Sequence, residues 1–146
     1  MKVIQEIFKK IMLNKILAIS GKPGLYKLTS SMKNNLIVES LANKKRMPVF
    51  GNDKIISLDE VFIFADNGKV SVGEVFTRIH EKEDGKTVSI DYAKASPDEL
   101  LSYFAEVLPD YDRKRVYPTD VRKLLKWYDL LIENGITDFL GKEEEK

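Results

Sequence analysis

From Gly24 to Ala65 apolar and polar residues alternate with a period of two, and from Ser71 onward the apolar residues recur at helical spacing. A chain that changes period in this way is constrained to an α+β layout, strands first and helices after. Four strands are expected, over Leu25–Ser30, Asn35–Leu41, Lys45–Phe50 and Glu60–Ala65, each rich in Val, Ile, Phe and Tyr. The polar turns Ser31–Asn34, Ala42–Lys44 and Gly51–Asp53 separate the first three and follow the third. Strands this short and this tightly connected bury a face by closing on themselves, so the expectation is a small SH3-like antiparallel β-barrel. Pro48 lacks a ladder donor and assigns its strand to an edge or a bulge. Ile56 and Leu58 are expected to point inward from a connection, and Asp66-Asn67-Gly68-Lys69 to form a turn of the Asn-Gly type.

The apolar lead Ile16–Ile19 runs into Ser20-Gly21-Lys22-Pro23-Gly24, read as the turn that launches the first barrel strand. Before it, Val3, Ile4, Ile7, Phe8 and Ile11 lie at helical spacing, so residues 1–12 form a short and dispensable helical extension.

Three helices are expected after the barrel. Ser71 and Glu74 make a capping-box pattern ahead of the stripe Val72, Val75, Phe76 and Ile79, which stops near Glu83-Asp84-Gly85. Ser96-Pro97-Asp98-Glu99 is the strongest start in the chain, with a serine cap, proline at the first helical position and acids against the positive end of the dipole. The last helix runs from Pro118 or Thr119 to Asn134, with Gly135 placed for a left-handed cap. The implied organisation is a barrel domain with its helix over 13–84, a linker over 85–95, a small all-helical domain over 96–137, and a disordered tail over 138–146.

Composition narrows the chemistry. The 146 residues include no cysteine, which removes disulfides, thiolate catalysis and cysteine-based metal sites, and fits a reducing, cytoplasmic setting. Charged residues interrupt the N-terminal apolar runs, so no signal core or membrane span is expected. Residues 1–56 carry eleven Lys/Arg against three Asp/Glu, and residues 57–146 carry thirteen against twenty, an asymmetry that suits a polyanion partner or attraction between the halves.

The catalytic motifs fail on spacing. A phosphate loop would need glycine where Ile16 stands and Ser or Thr where Pro23 stands. The single histidine, His80, has Asp84 where a zinc helix needs a second histidine. Counted from Asp110, a calcium loop would need glycine at Arg115 and glutamate at Val121. No catalytic residue, metal, cofactor or small-molecule substrate is assigned, and the chain reads as non-enzymatic.

Two binding sets remain. The basic residues Lys22, Lys27, Lys33, Lys44, Lys45 and Arg46, interleaved with Tyr26 and Phe50, are candidates for phosphate and base contacts on the barrel, with each aromatic equally suited to the core. Trp127 and Leu130 fall off the apolar stripe of the last helix beside Lys123 and Lys126, and are candidates for a protein interface. The expected function is binding or adaptor work through a protein partner or a homo-oligomer, with RNA or single-stranded DNA binding on the barrel's basic face as the alternative.

The strings I-S-G-K-P-G-L-Y-K-L at 19–28, L-I-V-E-S-L at 36–41, K-K-R-M-P-V-F at 44–50 and V-L-P-D-Y-D at 107–112 resemble a domain-of-unknown-function family of Bacteroidetes-type bacteria. Its members join a small β domain to a helical C-terminal domain, and residues 115–135 are similar to that second domain. The resemblance spans residues 13–137 and leaves 1–11 outside, which points to Met12 as the ancestral start. It implies no activity, and so no catalytic residue.

Overall fold

The computed structural model describes residues 16–31, 35–50 and 53–139. The expected extension over residues 1–12 and the tail from residue 140 lie outside the described residues, as does Lys33. The chain forms two compact units, one of Met1–Val61 with Thr137–Lys146, the other of Phe62–Ile136.

The first unit holds a five-stranded antiparallel sheet of β1 (Ile16–Ile19), β2 (Lys22–Ser31), β3 (Asn35–Ser40), β4 (Arg46–Phe50) and β5 (Ile55–Ser57), in the order β4-β3-β2-β1-β5. The apolar lead is therefore itself a strand. Its turn is Ser20–Gly21, between the paired residues Ile19 and Lys22, and Gly21 takes φ 83°, which glycine adopts without the steric cost of a Cβ. Pro23 and Gly24 lie within β2.

Register explains which side is core. Leu17 pairs with Tyr26, Leu28 with Val38, Val38 with Met47, and Leu36 with Val49, which places these side chains on one face. Leu17, Ile19, Tyr26, Val38 and Val49 form the buried cluster there, with Leu28, Met47 and Ile55 packed on it. The opposite face carries the row Lys27, Glu39 and Arg46, and the pair Ile37 and Pro48. Among the described residues no pairing closes the sheet, so β4 and β5 are edges and no closed barrel is present. Ile56 is 48% exposed, against the inward position expected, because it alternates with Ile55 in a strand and not in the expected connection. Leu58, in the 3₁₀ turn Leu58–Glu60, is fully buried as expected.

The second unit begins with a hairpin, β6 (Phe62–Ala65) and β7 (Gly68–Ser71), and continues with α1 (Val72–Lys82), α2 (Pro97–Val107) and α3 (Pro118–Glu133). It is not all-helical. The caps are as the sequence implies: Ser71 accepts from the Glu74 amide, and Ser96 and Glu99 complete a reciprocal capping box. Glu74 itself turns to Arg78, at 3.0 Å, instead of back to the cap. At the end of α3 the Gly135 amide donates to Ile132 O and the Ile136 amide to Leu131 O, with Gly135 at φ 73°, a Schellman ending.

The division falls after Val61, not at residues 85–95. Helix α1 belongs with the later helices: the Phe76 and Tyr128 rings are 6.3 Å apart, Lys82 pairs with Glu106, and Tyr103 donates to Glu83. The supposed linker is fastened to α3, with Val88 N donating to Asp129 and Arg122 donating to the carbonyls of Tyr92 and Ala95. Its mixed composition is that of a loop held by polar bonds to a distant helix, which has no local pattern to read.

Candidate binding surfaces

The basic residues of the first unit are exposed at Lys22, Lys27, Lys44, Lys45 and Arg46. Two of them are brought together with an acid between them: Glu39 stands between Lys27 and Arg46 in the cross-strand row, and Arg46 Nε lies 3.4 Å from its carboxylate. Tyr26 is 8% exposed, packed in the core cluster, with its hydroxyl donating to Pro23 O at 3.3 Å, so its ring offers no face for a base. Phe50 is exposed at the end of β4. That edge is guarded. Pro48 has no amide to give, and Phe50 N donates to the Asp53 carboxylate at 2.9 Å while Asp53 N donates to Phe50 O. With a period of two, residues 48 and 50 turn the same way, so two positions of the outer edge of β4 offer no free donor to an added strand.

Trp127 and Leu130 do not form an exposed face. They are 9% and 8% exposed, on a helix that also buries Val121, Leu124, Leu125, Tyr128 and Leu131. The wheel of an isolated helix shows one stripe, whereas α3 is buried over most of its circumference. Lys123 lies over the Trp127 ring at 5.9 Å, and Lys123 and Lys126 remain exposed.

The exposed aromatic surface lies instead on the hairpin. Ile63 and Ala65 are buried, and Phe62 and Phe64 alternate with them outward, Phe62 being 50% exposed. Register sets Ser71 beside Phe62 and Lys69 beside Phe64 on that outward face. Lys69 Nζ lies 5.5 Å from the Phe62 ring centre and the Arg115 guanidinium 4.7 Å from that of Phe64. Arg115 is placed by the segment before it. Asp112 N donates to Phe64 O, Asp66 N donates to Asp110 O, and Tyr111 bridges to Ala65. Tyr111 is buried with its ring 5.3 Å from Phe104, and Arg113 caps that ring at 4.0 Å while donating to Pro109 O and Tyr111 O. Residues 110–112 are thus a third, short rail of the hairpin. Two residues beyond Arg115, Tyr117 is 59% exposed. The signal for this surface was in the strand reading, since Phe62 and Phe64 have to leave the face that Ile63 and Ala65 occupy.

A polar cluster ties the helices of this unit. Glu83 accepts from Tyr103 at 2.5 Å and from the amide and hydroxyl of Ser89, both at 3.1 Å. Burial pushes its carboxyl up, but these hydrogen bonds and the nearby Lys82 outweigh burial and hold it below its ordinary value. Tyr103 is raised well above its ordinary value by burial and then by Glu83. Tyr128, which donates to Lys86 O, is pushed up to about 12 by burial and then by Asp129 and Glu83. Burial also raises Asp129, which accepts from Val88 N, while Tyr92 is raised by burial and then by the nearby Asp129. The tyrosines therefore stay protonated donors and Glu83 an ionised acceptor. Such groups fasten one another.

Geometry defines the class: an α+β protein of two units, an antiparallel five-stranded sheet and a hairpin with three helices, with the solvent-facing Phe62 and Phe64 under cations on the hairpin. The sequence matches two family models that meet at the structural division, a domain of unknown function (DUF5606) over residues 13–58 and a domain of unknown function (DUF6852) over residues 61–131. The chain is also similar to the solution NMR structure of a structural-genomics target from Bacteroides vulgatus, at 51% identity over 92% of this chain and 96% of that one, with a TM-score of 0.73. No curated protein in the comparison matches it. The chain belongs to this uncharacterised family of Bacteroidetes type.

Proposed function

We propose that the protein is a non-enzymatic binding or adaptor protein whose partner is another protein, and that the outward face of the β6–β7 hairpin is its contact surface. The observation that carries this reading is the pair Phe62 and Phe64, held outward on one strand with Lys69 and Arg115 over their rings. Aromatic residues and arginine are the side chains that dominate protein interfaces, and monomeric proteins seldom leave them adjacent and exposed. Acids and bases are mixed around the face, with Asp66 and Asp112 beside Lys69 and Arg115, which suits a protein surface better than a polyanion. An SH3-like ancestry for the first unit is part of the proposal, supported by its strand order, a four-strand meander with the fifth strand returned to the first. Residence in the cytoplasm rests on the cysteine-free sequence; no helix among the described residues is long and apolar enough to cross a membrane.

Recovery of partners from host lysate on immobilised wild-type protein and on the Phe62→Ala/Phe64→Ala double variant tests the surface. A protein retained by the first and lost by the second is the expected result. Identical recovery on both removes the hairpin from the interface. The exposed cations Lys22, Lys27, Lys44, Lys45 and Arg46 favour nucleic acid as the second reading. Its mark is binding of random single-stranded RNA or DNA that weakens steeply with salt, since phosphate contacts release counterions. Binding that is absent at low salt ends that reading.

A further inference from the structure

Residues 85–95 have no helix or strand, and polar bonds from α3 and from Glu83 fasten them to the rest of the second unit. The segment leaves α1 through two left-handed residues, Asp84 at φ 57° and Gly85 at φ 78°, and ends at the Ser96 cap of α2. Between those points α3 holds it with three side chains. Tyr128 donates to Lys86 O at 2.8 Å, Asp129 accepts from Val88 N at 2.9 Å, and Arg122 donates to Tyr92 O at 2.8 Å and to Ala95 O at 3.1 Å. Arg122 and Asp129 are seven residues apart, two helical turns, and therefore lie on one side of α3. Glu83 adds the bonds from Ser89. Of the segment's own side chains only Ala95 is fully buried; Val88, Ile90 and Tyr92 are half-buried.

We infer that residues 85–95 are a strap that opens as one unit along α3 while the three helices stay folded, uncovering the Tyr128 hydroxyl and the Asp129 carboxylate. The physical basis is the contrast in what holds each part. Leu124, Leu125, Leu131, Phe76 and Phe104 hold the helices by apolar burial, and separating them exposes that core. Releasing the strap exchanges a few protein hydrogen bonds for bonds to water, each of small net value, and exposes less apolar surface than separating the helices, since only Ala95 of its side chains is buried. The positive-φ pair at 84–85 and the cap at Ser96 mark the two ends about which it swings.

Native-state hydrogen exchange of the full chain in low denaturant tests this. The Val88 and Ser89 amides are expected to exchange on the order of 100-fold faster than those of Leu124 and Leu125, with a rate nearly independent of denaturant. Arg122→Gln acts at the far end of the strap, yet opening as one unit requires it to speed exchange at Val88 by roughly 10-fold, leaving Leu124 and Leu125 unchanged. Asp129→Ala gives the same pattern from the other end. One common rate and denaturant slope for the strap and α3 overturns the inference, and so does an Arg122→Gln effect confined to Tyr92 and Ala95. Should Asp129→Ala fail to fold, Arg122→Gln and the wild-type denaturant series decide alone.

Discussion

Glu83 and Asp129 belong to one polar cluster, yet the fold moves their carboxyls in opposite directions, and this has consequences for stability in acid. Glu83 sits below its ordinary value of 4.5, so the fold favours its ionised form; the stability it contributes is present above that value and is lost as pH falls through the folded value. Asp129 sits above its ordinary value of 3.8, so the fold favours its protonated form; that contribution is present below 3.8 and is lost as pH rises through the folded value. On acidification the two oppose each other. Glu83→Gln is therefore expected to show a shallower loss of stability than wild type between about pH 5 and 3, and Asp129→Asn a steeper one, in urea midpoints measured across that range. Parallel profiles for all three proteins would mean that neither displacement exists. Trp127 makes a different point at the same scale. Its own helix places it off the apolar stripe, and only the tertiary surroundings make it 9% exposed, so no count along α3 could have buried it.

Elements whose signals are local were legible. The start of α2 is written in Ser96, Pro97 and Glu99, and the structure supplies both halves of the box: Ser96 Oγ accepts from Glu99 N at 3.2 Å, and Ser96 N donates to Glu99 Oε1 at 2.8 Å. Ser96→Ala should cost about 1 kcal/mol, seen as a lower denaturant midpoint with an unchanged slope, because the Glu99 amide loses its acceptor. An unmoved midpoint would show that water replaces the cap without loss. The Schellman ending at Gly135 and the edge position of Pro48 were legible for the same reason, each being set by one residue's backbone chemistry. Elements defined by a distant partner were not. β5 is three residues long and exists through its pairing with β1; the rail at Tyr111 exists through Ala65; the strap exists through Arg122, Tyr128 and Asp129. The surroundings of the candidate residues were hidden for this cause too. Whether Tyr26 or Phe50 faced the core was decided by register, which placed Tyr26 opposite Leu17 in the buried cluster and left Phe50 exposed at the end of an edge strand.

At the scale of the molecule the decisive correction is the position of the division. A reading by period joins α1 to the strands, because its capped start follows them directly. The bonds say otherwise: α1 meets α2 through Lys82 with Glu106 and through Arg78 with the Val107 carbonyl, and meets α3 through Phe76 with Tyr128. The hairpin joins the same unit through Tyr111, whose ring packs on Phe104 of α2. The segment Phe62–Ile136 thus carries its own core and its own caps, the conditions for folding alone. Expressed by itself, it should give dispersed amide resonances and lose its helical circular dichroism in one cooperative thermal step. The segment 85–136, which keeps the apparent linker and two of the helices, should not, because it lacks Phe76, Ile79 and the Glu83 carboxylate that Tyr103 and Ser89 bind. Cooperative folding of 85–136 would return the boundary to the linker. Failure of 62–136 would mean that its core needs residues outside that span.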